Sequence, residues 1–227
     1  MALNNKTLDE FVFKKKPCGS LEFVGDFDAV YRNRVDPWSQ SESSNDGWRE
    51  YYQHSRLKIL NSISPTDKNI LEVGCGIGYV VDFLNKKIEG CSIDGMDISS
   101  EAIILANKNF PELNFFVGDI TNSNHNISKK YNVIVLNQIL WYILGSLDQV
   151  VKNVYHTLED AGLLIVSQAF FKDYQSYGRD ILVGVDGLED YMLRKHGGLF
   201  KLENIKVSAS NKLVHDDGLL VFKKLKI

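Results

Sequence analysis

One string, Glu72-Val73-Gly74-Cys75-Gly76-Ile77-Gly78, gathers the residues best suited to hold a ligand. It follows a short apolar run, NILEV, and opens an amphipathic one. Glycines in such a turn let the backbone approach a ligand with no Cβ in the way, and a helix start offers free N–H donors. The spacing is G-x-G-x-G. A dinucleotide fingerprint wants its third glycine one position later, where Tyr79 stands, and a nucleoside-triphosphate loop wants a following Lys-Ser or Lys-Thr that is absent. Asp97 closes the next apolar run, CSIDGMD, at about the interval where an acidic residue accepts from ribose hydroxyls. The competing reading is a helix cap, a service Ser99 already offers. Asp119 ends a third run in VGDI; it either accepts from an adenine amino group, with Ile120 against the ring, or is a turn residue. Glu72, Gly74, Gly76, Asp97 and Asp119 fall at successive carboxyl ends of strands, where open α/β sheets bind ligands.

The elements that must position these residues are readable from residue 69 onward. Strand-like runs at 69–73, 91–97, 114–117, 131–136 and 163–170 alternate with amphipathic stretches. One helix carries Val80, Val81, Phe83 and Leu84; a second, after Ser99, carries Ala102, Ile103, Leu105 and Ala106. Ser146-Leu147-Asp148-Gln149 has the capping-box pattern before Val150, Val151, Val154 and Leu158, and Gly162 is placed to stop that helix. After a helix around 188–196 come two strand-like runs joined by a short polar link. Parallel neighbours need a crossover of about a dozen residues, so this last pair is expected to be an antiparallel hairpin. The expected fold is α/β: a doubly wound, seven-stranded, mostly parallel sheet with a C-terminal antiparallel hairpin, helices on both faces and an N-terminal helical lid. Residues 1–45 form an arm and lid, and 46–227 a single domain. Positions 46–63 read as helical, with Trp48, Tyr52 and Ser55 or Arg56 on one side and Leu57, Leu60 and Ile63 on another. That helix either packs or overhangs the carboxyl edge of the sheet.

Composition narrows the functional classes. In 227 residues, 44% are hydrophobic and 24% charged, so a sizeable core is available and a wholly disordered chain is excluded. The net charge of −3 lacks the basic excess of proteins that grip phosphate backbones, which argues against a nucleic-acid partner. Three cysteines, Cys18, Cys75 and Cys91, with no C-x-x-C pair, fit neither a disulfide framework nor a structural zinc site, and no metal is expected. No apolar run reaches roughly 18 residues, and MALNNKTLDE lacks the features of a secretion signal. A cytoplasmic location and no membrane partner are the expectation.

The series E-V-G-C-G-I-G, G-M-D-I, V-G-D-I and YNVIVLNQILWYI resembles the motifs of class I S-adenosylmethionine-dependent methyltransferases, over roughly residues 55–225. The resemblance implies that Gly74, Cys75, Gly76 and Gly78 wrap the methionyl part of S-adenosylmethionine. It places Asp97, with Ile98 beside it, at the ribose, Asp119 and Ile120 at the adenine, and Asn137 near the sulfonium. Glu72 would steady the loop and the cofactor amino group, and Arg56 would take the cofactor carboxylate through its bidentate fork. DPW (36–38) together with NQILWYIL resembles the NodS-like small-molecule N-methyltransferases that act on sugars. Relatives often carry Ser-Glu at Asn137-Gln138 and His at Tyr142, so a carboxylate and a His base are missing at those points.

A sulfonium methyl is already activated; the enzyme holds nucleophile, carbon and sulfur in line and excludes water. An amine or hydroxyl acceptor must also lose a proton, and the candidate bases are His54 and Tyr142. His125, His156, His196 and His215 are scattered without ligand spacing and read as structural or exposed. Tyr174, Tyr177 and Arg179 suit a hydroxylated or anionic substrate or a stapled loop, and Trp38, Trp48 and Trp141 wall a cleft or pack. The leading expectation is methyl transfer to N or O of a small polar metabolite, such as a sugar or nucleotide-linked acceptor, by a monomer or homodimer. The alternative is a non-catalytic cofactor-binding subunit. Amino-methylating nucleic-acid enzymes usually place Pro-Pro-Tyr or Pro-Pro-Phe after the fourth strand, where this chain has Gln138-Ile139-Leu140.

Overall fold

The structure is a computed structural model that describes residues 8–41, 46–125, 127–171, 175–208 and 215–226, the side chains of 8, 9, 46 and 48 excepted. The chain opens with α1 (Leu8–Val12), an antiparallel hairpin of β1 (Phe13–Lys15) and β2 (Leu21–Phe23), and α2 (Phe27–Asn33). Asp26 starts α2 by accepting from Ala29 N–H at 3.0 Å, a side-chain cap of the ordinary kind. α3 (Asp46–Leu60) follows.

The main sheet then builds as β3 (Asn69–Val73), α4 (Tyr79–Lys87), β4 (Ser92–Asp97), α5 (Ser100–Asn109), β5 (Asn114–Val117) and β6 (Tyr131–Asn137). It continues through α6 (Leu140–Ile143), a 3-10 turn, α7 (Leu147–Thr157), β7 (Leu158–Phe171), α8 (Gly184–His196), β8 (Phe200–Ser208) and β9 (His215–Lys224). The seven strands lie in the order β5-β4-β3-β6-β7-β9-β8. The first five are parallel, and β9 runs antiparallel to both β7 and β8. The expected hairpin is thus present, and its second strand is wedged between β7 and its own partner.

Alternation along the strands puts a core on each face. Leu71, Val73, Ile134 and Leu136 point to the α7–α8 side, while Ile70, Val133 and Val135 point to the α3–α4–α5 side, all 3% exposed or less. Burial on both faces is why these strands read as nearly continuous apolar runs.

Two local expectations are corrected. Ser146 makes no side-chain cap bond: it ends a 3-10 turn, and α7 grows out of that turn rather than from a capping box. Gly162 does not stop α7. The helix ends at Leu158 in extended backbone, and Gly162 lies inside β7, where a Cβ would come 3.0 Å from Asn132 O. On α3 the core residue is Ile59, fully buried, whereas Leu57 is 38% exposed.

Candidate active site

The glycine turn joins β3 to α4 and is pinned to the end of β4. Gly74 and Cys75 N–H both donate to Met96 O, at 2.7 and 3.0 Å, and Gly76 N–H donates to Asp97 Oδ2 at 2.8 Å. Gly76 has φ +53°, and a Cβ there would lie 2.8 Å from the Tyr31 hydroxyl, so both the backbone conformation and the space call for glycine. At Gly78, φ is +92° and a Cβ would meet the Phe115 ring at 2.7 Å. Gly78 therefore serves the packing of α4 and is not among the residues that line the cavity. The Cys75 side chain is buried, and its Sγ donates to Gly76 O at 3.7 Å.

Above this turn lies a cavity of about 740 Å³ along the carboxyl edge of β3, β4, β5, β6 and β7. Asp97 lines it. Its two oxygens accept from Gly76 N–H and, at 2.9 Å, from Ser99 N–H. A carboxylate has about four acceptor sites, so capacity remains for a ligand. Ser99 caps α5 by accepting from Ala102 N–H, which removes the competing role for Asp97. Burial pushes the Asp97 carboxyl up, and the amide donors partly hold it back. Asp119 also lines the cavity. Thr121 N–H and Oγ1 both donate to its Oδ1, at 2.8 and 2.6 Å. Ile98 and Ile120 join it on the same wall.

Glu72 lies beneath the turn, 2% exposed, and burial pushes its carboxyl up to about 8, partly offset by the Arg56 charge. Its Oε2 and the Oδ1 of Asn137, which lines the cavity, are buried with no hydrogen-bond partner. Such atoms are rare in folded proteins and mark a place where a donor belongs. Arg56 does not line the cavity. Its Nη2 donates to Gln40 O at 2.9 Å, and its guanidinium lies 5.9 and 5.7 Å from the Tyr52 and Tyr79 rings, tying α3 to Gln40 and to the start of α4.

The opposite wall is aromatic. Trp38, Tyr52, Trp141, Tyr142 and Tyr177 all line the cavity. Tyr142 packs against Phe13, Phe23 and Phe27, with centroids 6.1, 6.2 and 5.2 Å away, and Tyr177 meets Phe13 edge-on at 5.0 Å. Tyr52 donates to Trp38 O at 2.6 Å, and burial pushes its phenol up to about 12. Trp141 Nε1 donates to Ala169 O at 3.2 Å. His54 and Arg179 are exposed and away from the cavity, which corrects the roles expected of them: α3 turns Ser55 and Ile59 inward and His54 outward. Tyr174 and the Trp48 side chain lie outside the described residues.

Several lining residues carry no sequence motif. Phe27 and Tyr31 are four apart on α2, a spacing that signals one helix face. α2 is fastened at its start: Asp28 accepts from Ser99 Oγ at 2.7 Å and from Glu101 N–H at 3.2 Å, which holds its carboxyl below the usual range. Gln138 adopts φ +59°, uncommon for a non-glycine residue, directly after Asn137. Its N–H donates to Ser167 O at 2.8 Å and its Oε1 accepts from Ala169 N–H at 3.0 Å, so β7 clamps the turn. His215 arrives from β9 at the far end. Among the described residues there is no cluster of three metal-binding side chains, and no helix is long and apolar enough to cross a membrane.

A family profile described as a methyltransferase domain matches residues 71–164. The malonyl-[acyl-carrier protein] O-methyltransferase of Priestia megaterium is 32% identical over 129 residues, covering 54% of this chain and 46% of that protein. The chain spans about half the length of the curated relatives it matches. The N-methyltransferase NodS of Bradyrhizobium japonicum WM9, solved with S-adenosyl-L-homocysteine, superposes with a TM-score of 0.64 at 15% identity, covering 88% of this chain and 98% of NodS. The [4+2]-cyclase SpnF superposes with a TM-score of 0.67 at 13% identity, over 88% of this chain and 95% of that one. These two show the fold alone. The motif series, the methyltransferase-domain match over residues 71–164 and the strand order agree, and the chain is similar to the class I S-adenosylmethionine-dependent methyltransferases.

Proposed function

We propose that this protein binds S-adenosylmethionine across the ends of β3, β4 and β5 and transfers its methyl group to an oxygen of a small acceptor held under the N-terminal arm, residues 1–45, which acts as a lid. The observation that carries the reading is the pair of buried unpartnered oxygens, Glu72 Oε2 and Asn137 Oδ1, beside a glycine turn with no room for a Cβ. An ammonium group fits that pair. Bound S-adenosylmethionine supplies a methyl carbon activated by a sulfonium sulfur.

The chain's own residues do the rest. Gly74 and Gly76 admit the methionyl chain, Asp97 accepts from the ribose hydroxyls, and Asp119 accepts from the adenine amine. Glu72 meets the ammonium group, with Arg56 placed to balance its charge. Asn137, held by the clamped Gln138 turn, stands at the boundary between cofactor and acceptor. Tyr142 and Trp141 exclude water from the reaction line, and positioning of this kind is worth about 7–11 kcal/mol in favourable cases. Oxygen is favoured over nitrogen by the relatives named as O-methyltransferases. The sugar or nucleotide-linked acceptor expected earlier gains nothing from those names, nor from a wall made of aromatic rings. A carrier-borne carboxylate, as in the relatives' names, is the second reading.

The test is calorimetric titration with S-adenosylmethionine and with a reduced nicotinamide dinucleotide, followed by incubation with methyl-labelled cofactor. Saturable one-site binding of the first and not the second is expected, with label passing to an acceptor in cell extract. Binding of the nicotinamide compound in its place, or binding with no transfer to any acceptor pool, overturns the reading.

A further inference from the structure

The acceptor end of the cavity holds a polar cluster that the methyl-transfer machinery described above does not use. His215 begins β9, pairs with Phe171 across the sheet and lines the cavity. Its Nε2 lies 3.7 Å from Asp217 Oδ1 and has no hydrogen-bond partner. The alternation of β9 places Asp217 on the same face, two residues on. Asp217 is held in turn by the Tyr51 hydroxyl, which donates to the same Oδ1 at 2.9 Å, and the Tyr51 ring meets the His215 ring edge-on at 5.8 Å. This row of groups, α3 hydroxyl to β9 carboxylate to imidazole, lies at a cavity wall and sets a carboxylate beside any charge the ring gains.

The rest of the lining sharpens the chemistry. Among the described residues that line the cavity there is no Lys or Arg; the ionisable groups are Asp97, Asp119, tyrosines and His215. A carboxylate acceptor would find no fixed cation there, and the two cofactor-side carboxylates would repel it. A neutral hydroxyl on an aromatic or otherwise apolar body finds rings to pack against. Such a hydroxyl is a poor nucleophile until it loses its proton.

The geometry points to His215 as the general base for a neutral hydroxyl acceptor, with Asp217 as its positioning residue and Tyr51 holding Asp217. The inference rests on the methyl-transfer reading. In the step, the acceptor O–H proton passes to an imidazole nitrogen of His215 and an oxygen lone pair forms the new O–CH3 bond. The S–CH3 bond breaks with its electron pair going to sulfur, which turns the sulfonium into a neutral thioether. The charged and titratable groups around His215 are Tyr51 and Lys58 from α3, Lys58 lying within electrostatic reach of Asp217, and Asp216 and Asp217 from β9; β7 offers Phe171.

The experiment compares wild type, His215→Gln and Asp217→Asn with 4-methylphenol, 4-nitrophenol and malonyl-coenzyme A as acceptors. S-adenosylmethionine affinity is measured in parallel by calorimetry. Wild type is expected to methylate the phenols and not malonyl-coenzyme A. His215→Gln should lower kcat/KM for 4-methylphenol by roughly 100-fold or more at neutral pH, within the usual range for a general base. The loss should be much smaller for the more acidic 4-nitrophenol and should shrink as pH rises, because a phenolate needs no base. A merely structural role would depress both phenols equally at every pH. Asp217→Asn should show the same pattern with a smaller loss, and cofactor affinity should be unchanged in both variants. Transfer to malonyl-coenzyme A alone, transfer to none of the three, or an equal loss on both phenols overturns the proposal. Failure of the wild type to bind S-adenosylmethionine overturns the underlying reading instead.

Discussion

The half of the cavity floored by β3, β4 and β5 and the half walled by α2, the N-terminal hairpin and the ends of β6, β7 and β9 are made of different materials. The first presents two carboxylates and a glycine turn, all within one turn of a strand end. Its shape follows from local backbone geometry, which few sequences can adopt. The second is built from ring faces contributed by segments far apart in the chain, such as Phe23, Phe27, Tyr142 and Tyr177. Many ring combinations would fill that wall. On the proposed reading the difference teaches where invariance of chemistry is required: one half would meet a ligand of constant structure, and the other would set which acceptor enters.

Breaking the first half should have the largest effect. Gly76→Arg places a side chain where the Tyr31 hydroxyl already closes the space, at a residue with φ +53°. Cofactor binding is expected to vanish in calorimetry while the melting transition survives; retained affinity would move the cofactor elsewhere. Asp97→Ala is the next largest, since a hydrogen bond to a charged group is worth about 1.5–3 kcal/mol. That corresponds to a dissociation constant weaker by roughly 10- to 150-fold, and an unchanged one would remove Asp97 from the ribose role. Phe27→Ala tests the second half. Its ring touches those of Phe23, Trp38 and Tyr142, so acceptor KM should rise several-fold while cofactor affinity stays level. Equal loss of both would show that the halves are not separable.

The smallest effect concerns protons and sharpens the boundary between the halves. Because the folded carboxyl of Glu72 sits near 8, above its ordinary value, the free folded protein holds a proton there at neutral pH that the unfolded chain has released. Its contribution to stability is therefore full below the ordinary carboxylate range and is lost as pH rises toward 8. Glu72→Gln should flatten that decline in thermal melts. Pairing of the ionised carboxylate with an ammonium group should also release up to about one proton on cofactor binding, read from calorimetry in buffers of different ionisation enthalpy. No proton release by wild type at pH 7 would place Glu72 outside the contact.

Much of the first half was legible before any coordinates. Gly74, Gly76, Asp97 and Asp119 sit where a strand–turn–helix string must place them, and Ser99 caps α5 as its position suggested. The strand runs were legible because both faces of the sheet are buried and the apolar signal is strong. Failures came where several conformations fit one pattern. Ser146 satisfies a capping-box string yet follows a 3-10 turn, and Gly162 reads as a helix stop yet packs inside β7. Arg56 and His54 have suitable chemistry, but helix phase turns one toward Gln40 and the other to solvent. The arm carried little periodic signal, and its aromatic wall depends on where α2 docks through Asp28 on the start of α5.

By itself, then, the order of residues determined the glycine turn, the carboxylates at strand ends and the alternating architecture, because each depends on interactions within one turn or one strand. Only the tertiary structure decided which rings wall the cavity and that His215 reaches it beside Asp217 and Tyr51. Those contacts span up to 166 positions of chain and exist only once β9 is inserted next to β7, a placement that long-range packing selects and no local string encodes.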